Sequence, residues 1–146
     1  MIRTCPACGT KNRIPARHLA HQGRCGSCKA SLPPVSEPID ADETLFREIV
    51  TESPVPVLVD FWAAWCGPCR AVAPQVHALA KEVAGRAIIL KVNTEEQQGL
   101  AAEFRIQSIP NFVVLNGGQV VIQRAGAAPL PEMRRWIEMA AQTVNK

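Results

Sequence analysis

From residue 41 onward the apolar positions fall into periods that predict elements. "ADETLFREIVTE" (41–52) carries Leu45, Phe46, Ile49 and Val50 at helical spacing behind an acidic start, so it predicts an amphipathic helix. "VPVLVDFW" (55–62) is a continuous β-branched and apolar run, the pattern of a strand buried on both faces. "GPCRAVAPQVHALAKEVAG" (67–85) predicts a helix entered through Gly67, with Pro68 in its first turn, a kink at Pro74 and an end at Gly85. "AIILKVN" repeats the buried-strand pattern, and "EEQQGLAAEF" predicts a helical segment. "FVVLN" and "QVVIQ" flank two glycines and predict a β-hairpin with an Asn-Gly turn signal. "PEMRRWIEMAAQTV" (131–144) closes the chain as an amphipathic helix, with Pro131 at its start and Met133, Trp136, Ile137 and Ala140 as packing positions. The order α-β-α-β-α-β-β-α predicts an α/β fold: parallel strands joined by crossover helices, then an antiparallel hairpin, in one mixed sheet covered on both faces.

Before residue 41 that periodicity is missing. Ile2, Ile14, Leu19 and Leu32 are among the few large apolar side chains there, too few to bury a core. Something other than apolar burial must hold this segment. "SLPPVSEPIDADE" contains Pro33, Pro34 and Pro38 and reads as a semi-rigid connector. The expected organisation is a small module over 1–32, a linker over 33–39 and a larger domain over 40–146.

Composition and charge sharpen this division. Of 146 residues, 47% are apolar and 20% charged, enough for one packed core and a soluble surface. No run approaches the roughly 18 apolar residues of a membrane span, and "MIRTCPACGTKNR" lacks the apolar stretch of a secretory signal. The expected location is therefore the cytoplasm, where paired cysteines serve more often as metal ligands or catalysts than as staples. Residues 1–36 carry six cations and no Asp or Glu, whereas the remainder is net −3, giving +3 in all. Such a basic module invites a nucleic-acid reading. It has no aromatic residue on which a base would stack, and four thiolates around a divalent ion would themselves need nearby cations. Nucleic acid is not the expected partner.

All six cysteines stand in C-x-x-C pairs: "CPAC" (Cys5, Cys8), "CGSC" (Cys25, Cys28) and "WCGPC" (Cys66, Cys69). Sixteen residues separate the first two pairs, the spacing of a four-cysteine zinc site. Each tight turn points two sulfurs at one ion, and Gly9 and Gly26 permit positive φ so that backbone N–H groups turn toward sulfur. One tetrahedrally held Zn²⁺ would supply the folding energy that the missing core cannot. His18 and His21 are too closely spaced for finger ligands and read as surface or neighbouring groups. The third pair differs in context, lying between a buried strand and a helix. There the helix N-terminus favours the Cys66 thiolate, the nucleophile, while Cys69, one turn on and expected to be less accessible, can resolve a mixed disulfide. Pro68 stiffens the turn between them.

"VDFWAAWCGPC", "KVN", "SIPNFVVLNGG" and "RAGA" together resemble the thioredoxin family over essentially residues 40–144. "C-x2-C…NRIP…CG-x-C" resembles its zinc-binding two-domain type, thioredoxin 2. The resemblance implies the thioredoxin fold and a protein-disulfide reductase. Its partners would be disulfide-containing client proteins and thioredoxin reductase, an NADPH-dependent flavoprotein. A monomer with no organic cofactor is expected. Asp60, a carboxyl in an apolar strand whose pKa desolvation should raise, matches the family's proton acceptor for Cys69. Lys91 matches a lysine near that aspartate. Pro110 matches a cis-proline opposite the dithiol, presenting the Ile109 backbone to an extended client. Trp65, Gly67, Pro68, Ile109, Pro110 and Gly126 would form the rim that clients touch, with Trp62 packed beside the site and His77 in solvent. Two departures stand out: Asn111 occupies a position that is commonly threonine, and Pro38 interrupts the family's first strand, which should be short or absent. Other readings are a disulfide oxidase or isomerase on the same fold, whose members usually carry histidine where Gly67-Pro68 stands, a thioredoxin domain carried to an acidic partner or nucleic acid by its basic zinc module, and an oxidant-sensitive zinc switch in that module.

Overall fold

The computed structural model describes residues 1–143, so the expected end of the last helix at Val144 and the last residues of the larger domain lie outside the described residues. At the N-terminus, β1 (Ile2–Thr4) pairs antiparallel with β2 (Lys11–Arg13), and β3 (Gly23–Arg24) with β4 (Ser31–Leu32). Each hairpin is closed by one C-x-x-C turn, and the two turns repeat one hydrogen-bond pattern. The Cys5 and Cys25 amides donate to the Thr10 and Ala30 carbonyls at 2.8 and 2.9 Å, and the Gly9 and Lys29 amides donate back to the Cys5 and Cys25 carbonyls. This reversal needs a left-handed residue after the second cysteine, supplied by Gly9 (φ 78°) and Lys29 (φ 65°). The positive φ expected at Gly26 is therefore not used there; the second knuckle places it at Lys29. The module's own core is only Cys5, Cys25 and Leu32, with Ile14 and Ala30 packed against them.

Between the knuckles, a 3-10 turn at Ala16–His18 leads the chain onto the larger domain. Ala16, Leu19, Ala20 and Val35 join a core cluster with Phe46, Ile49 and Val50. The Val35 amide donates to the Leu19 carbonyl at 3.0 Å, and Pro34 lies against Gly85. Leu19 is fully buried, which contributes roughly 2 kcal/mol to this docking.

The larger domain runs β5 (Ile39–Asp40), α1 (Glu43–Glu52), β6 (Val57–Trp62), α2 (Gly67–Glu82), β7 (Ile88–Asn93), α3 (Gln98–Glu103), β8 (Asn111–Asn116), β9 (Gln119–Ala125) and α4 (Leu130–Gln142). Its sheet has the order β5-β7-β6-β8-β9. The first three strands are mutually parallel, and β8 and β9 are antiparallel to their neighbours. Alternation along the strands builds two cores. Val57, Val59 and Phe61 face α1 and Leu100 of α3, whereas Leu58, Ile89, Phe112 and Val114 face α2 and α4. Met133, Trp136, Ile137 and Ala140 all belong to the second core, as the helical stripe predicts.

Local chemistry sets the ends. Asp42 caps α1 by accepting the Leu45 amide at 2.8 Å. α3 starts three residues later than the periodicity predicts, because the Asn93 carboxamide oxygen takes the Glu95 and Glu96 amides at 2.8 and 3.2 Å and holds them in a turn. The hairpin turns on Gly117 and Gly118, both at positive φ, one residue beyond the Asn-Gly dipeptide. α2 is continuous through Pro74. Pro38 leaves the first strand of the sheet only two residues, Ile39 opposite Leu90 and Asp40 opposite Lys91.

Candidate active site and metal site

β6 is central in the sheet, and its C-terminal end delivers the chain to the N-terminus of α2. Cys66 is the N-cap of that helix: its Sγ accepts the Cys69 amide at 3.2 Å, with Pro68 in the first turn. Cys66 and Cys69 form a disulfide with a Cα–Cα separation of 5.3 Å. Accessibility does not separate the two, at 2% and 4% exposed. Position does. Cys66 lines an open groove of about 450 Å³, and Cys69 does not. Trp65, Gly67 and Pro68 form one wall of this groove, and Ile106 to Ile109 form the other. The Ile109–Pro110 peptide is cis, and the Ile109 carbonyl lies 3.7 Å from Cys66 Sγ. Trp65 is 66% exposed at the groove edge, and its indole N–H donates to Glu95 Oε1 at 2.9 Å.

Asp60 shares a strand face with Leu58, the face that packs on α2, and is 1% exposed. Its Oδ1 has no hydrogen-bond partner. Desolvation raises its pKa to about 7, partly countered by the Lys91 charge. Lys91 stands opposite Asp60 in the β6–β7 register, yet its ammonium lies over the Trp62 ring, 4.4 Å from the centroid. Trp62 packs against Ala63, Cys66 and Cys69, beside the site as expected. Gly126 (φ 96°) donates its amide to the Pro110 carbonyl at 2.8 Å, so it braces the cis-proline and is not among the groove-lining residues. His77 is exposed on α2.

The other four cysteines converge between the two knuckles. Their sulfurs all lie within 4.8 Å of one another. The close pairs run across the knuckles, Cys5 to Cys28 and Cys8 to Cys25, each at 3.7 Å. A tetrahedron with metal–sulfur bonds of about 2.3 Å has edges of about 3.8 Å, so the two close edges match a divalent ion of zinc's size and the cluster is one that could hold it. The Cys28 backbone and the Asn12 amide, through their N–H groups, lower the Cys25 pKa, while the crowded neighbouring sulfurs raise that of Cys28, so the metal-free cluster favours a thiolate at Cys25 first. Asn12 donates to Cys25 Sγ at 3.5 Å and accepts the Gly26 amide at 2.9 Å. His18 and His21 are exposed, meet each other at 3.2 Å through Nδ1, and take no part in the cluster.

Comparison with known proteins matches the family model described as thioredoxin to residues 37–139, and one described as "Thioredoxin 2, N-terminal" to residues 4–30. Thioredoxin C-3 of Corynebacterium nephridii is 38% identical over 142 residues, 97% of each chain. The chain belongs to the thioredoxin family. Spinach chloroplastic thioredoxin M-type is 42% identical over 111 residues, covering 76% of this chain and 61% of that one. Among solved structures, a mutant thioredoxin from Halobacterium salinarum NRC-1 superposes with a TM-score of 0.68 at 28% identity, over 75% of this chain and 96% of that one. Spinach chloroplast thioredoxin F gives 0.67 at 32%, over 73% and 95%. The Cys66–Cys69 pair at a helix start in the thioredoxin fold is the active centre of a thiol–disulfide oxidoreductase, here joined to a cysteine cluster able to hold a metal. Among the described residues no helix is long and apolar enough to cross a membrane.

Sequence reasoning missed Glu95, Asn12 and the wall residues Thr94 and Ile106 to Ser108 of this thioredoxin site. Glu95 is an ordinary polar residue on a turn and Asn12 one in the short strand β2, and only the folded chain shows that each faces a functional side chain. The loop wall has no period to read.

Proposed function

We propose that this chain reduces disulfides in client proteins and is re-reduced by an NADPH-dependent flavoprotein of the thioredoxin reductase type. The observation that carries the reading is the Cys69 amide aimed at Cys66 Sγ at the head of α2, beside a groove open to an extended peptide. In the dithiol state the same amide and the helix dipole stabilise a Cys66 thiolate. That thiolate attacks a client disulfide, forming a Cys66–client bond and expelling one client sulfur as thiolate. Asp60, ionised above about pH 7, takes the Cys69 proton. The Cys69 thiolate then attacks Cys66 Sγ, forms the Cys66–Cys69 disulfide and releases the second client sulfur. Two electrons pass from the dithiol to the client, and the reductase returns two.

Trp65, Gly67, Pro68 and Ile109 contact the client, and Pro110, held by Gly126, aligns the Ile109 backbone with it. Lys91 tempers the Asp60 pKa. Cys5, Cys8, Cys25 and Cys28 hold one Zn²⁺, which ties the two knuckles of the 1–32 module together; residues 33–39 connect it to the redox domain, 40–146. Keeping four ligating thiols reduced suits the cytoplasm. The chain acts as a monomer, and its redox step uses no organic cofactor. Gly67-Pro68 favours a reductase over an oxidase or isomerase.

The test is insulin reduction with NADPH and a thioredoxin reductase. Cys66→Ser abolishes turnover and Cys69→Ser accumulates a mixed disulfide; turnover that survives Cys66→Ser refutes the assignment.

A further inference from the structure

Residues 105–110, the wall opposite Trp65, contain no helix or strand, so their position depends on what anchors them. Two of the anchors are side chains. Gln123 on β9 donates from Nε2 to the Phe104 carbonyl at 2.9 Å, and from the same amide to Asn111 Oδ1 at 3.4 Å. Asn111, 5% exposed at the start of β8, donates from Nδ2 to the Ser108 carbonyl at 3.4 Å. Asn111 lies opposite Ala125 and Gln123 opposite Val113, so the two carboxamides are diagonal neighbours on one face of the sheet. They form a relay that clamps the loop at its root, Phe104, and at its groove-lining tip, Ser108. A carboxamide suits this because its acceptor and its donor are separate atoms. The single hydroxyl of threonine, common at this position in the family, is a shorter group with one oxygen for both tasks.

We infer that the Asn111–Gln123 pair is a specificity-determining positioning device: it fixes the Ser108–Ile109 wall and thereby selects which client segments seat against Cys66. The inference rests on the reading that clients occupy the groove. Neither residue touches the cysteines, whose reactivity is set by α2 on the other wall. The pair therefore governs encounter with extended protein substrates and leaves the thiol chemistry alone.

The test uses the full-length, zinc-loaded, pre-reduced chain in single-turnover oxidation by insulin and, separately, by a small aromatic disulfide. Asn111→Thr and Gln123→Leu are each expected to lower the second-order rate with insulin about fivefold, the worth of one net hydrogen bond. The small-disulfide rate and the equilibrium with glutathione stay at wild-type values. Because the residues act as one relay, the double variant is no slower with insulin than the slower single variant. Equal losses with both oxidants, a shifted glutathione equilibrium, or effects that multiply in the double variant would overturn the inference, as would unchanged insulin rates. A wild-type chain that reacts with the small disulfide but not with insulin instead refutes the client reading, and the role of the pair falls with it.

Discussion

Replacing Asp60 with asparagine should stabilise the protein, and more so as pH rises. Asp60 is 1% exposed, Oδ1 lacks a partner, and desolvation lifts its pKa from 3.8 to about 7. Between those two values the native protein keeps a proton that the unfolded chain has released. The unfolded state thus binds fewer protons, and stability falls with rising pH through this window. At 1.36 kcal/mol per unit, the native state bears a penalty of about 4 kcal/mol once the pH exceeds 7, and little of it below 4. Asparagine has the same shape and no titration, so its gain over aspartate should be larger at pH 9 than at pH 5 by roughly 3 kcal/mol. Guanidinium unfolding of wild type and Asp60→Asn, both oxidised, at the two pH values measures this difference. Any constant cost of burying the amide cancels between them. A gain that is equal at the two pH values, or that shrinks as pH rises, would refute the claim that Asp60 is buried without compensation. The same substitution should slow release of the mixed disulfide above pH 7, where the variant has no carboxylate to take the Cys69 proton.

Leu19→Ala should lower stability by about 3 kcal/mol, because the residue is fully buried in the cluster shared by the 3-10 turn and α1, while insulin turnover at 25 °C persists; chemical denaturation and the coupled assay together check this. If the cluster holds zinc as proposed, Cys25→Ser should lower the zinc content of the purified protein well below that of the wild type in metal analysis, since Cys25 is 0% exposed and carries the Asn12 contact. Glu95→Gln, which leaves the Trp65 indole a weaker, neutral acceptor, should lower the insulin rate a few-fold and change the indole environment in fluorescence. Retained zinc in the Cys25 variant, or unaltered insulin kinetics in the Glu95 variant, would contradict these assignments.

Much of this fold is legible in the sequence because apolar periodicity is read residue by residue. Val57 to Phe61 are buried on both faces, so they form an unbroken apolar run, and the Asp60 that interrupts it stands out at once. The helical stripe at Met133, Trp136, Ile137 and Ala140 is equally direct. What sequence reasoning misses depends on contacts between distant segments. Leu19 reads as one apolar residue in a polar module; its burial depends on α1, far along the chain. Lys91 reads as a lysine near Asp60 that tunes its charge, and the strands do place the two opposite each other so that its charge offsets part of the Asp60 shift; what periodicity does not record is that the ammonium sits over the Trp62 ring face. The late start of α3 turns on one Asn93 side chain, a choice that periodicity does not record.

The three C-x-x-C pairs show how one spacing serves two chemistries. In the knuckles, the residue after the second cysteine, Gly9 or Lys29, is left-handed, so the chain reverses into a hairpin. Each sulfur then finds its near neighbour on the other knuckle, at 3.7 Å, and the four converge on one centre. After Cys69 the chain instead continues into α2, and Arg70 donates its amide to the Cys66 carbonyl as an ordinary helical bond. The two sulfurs bond to each other, the helix N-terminus favours charge on Cys66, and among the described residues no other cysteine joins them to complete a metal shell. The backbone conformation just beyond the pair, more than the pair itself, decides between a ligand turn and a redox turn. Lys29 makes this point against composition: a lysine reaches left-handed φ at some cost, and the pull of a shared ion on four sulfurs would offset it.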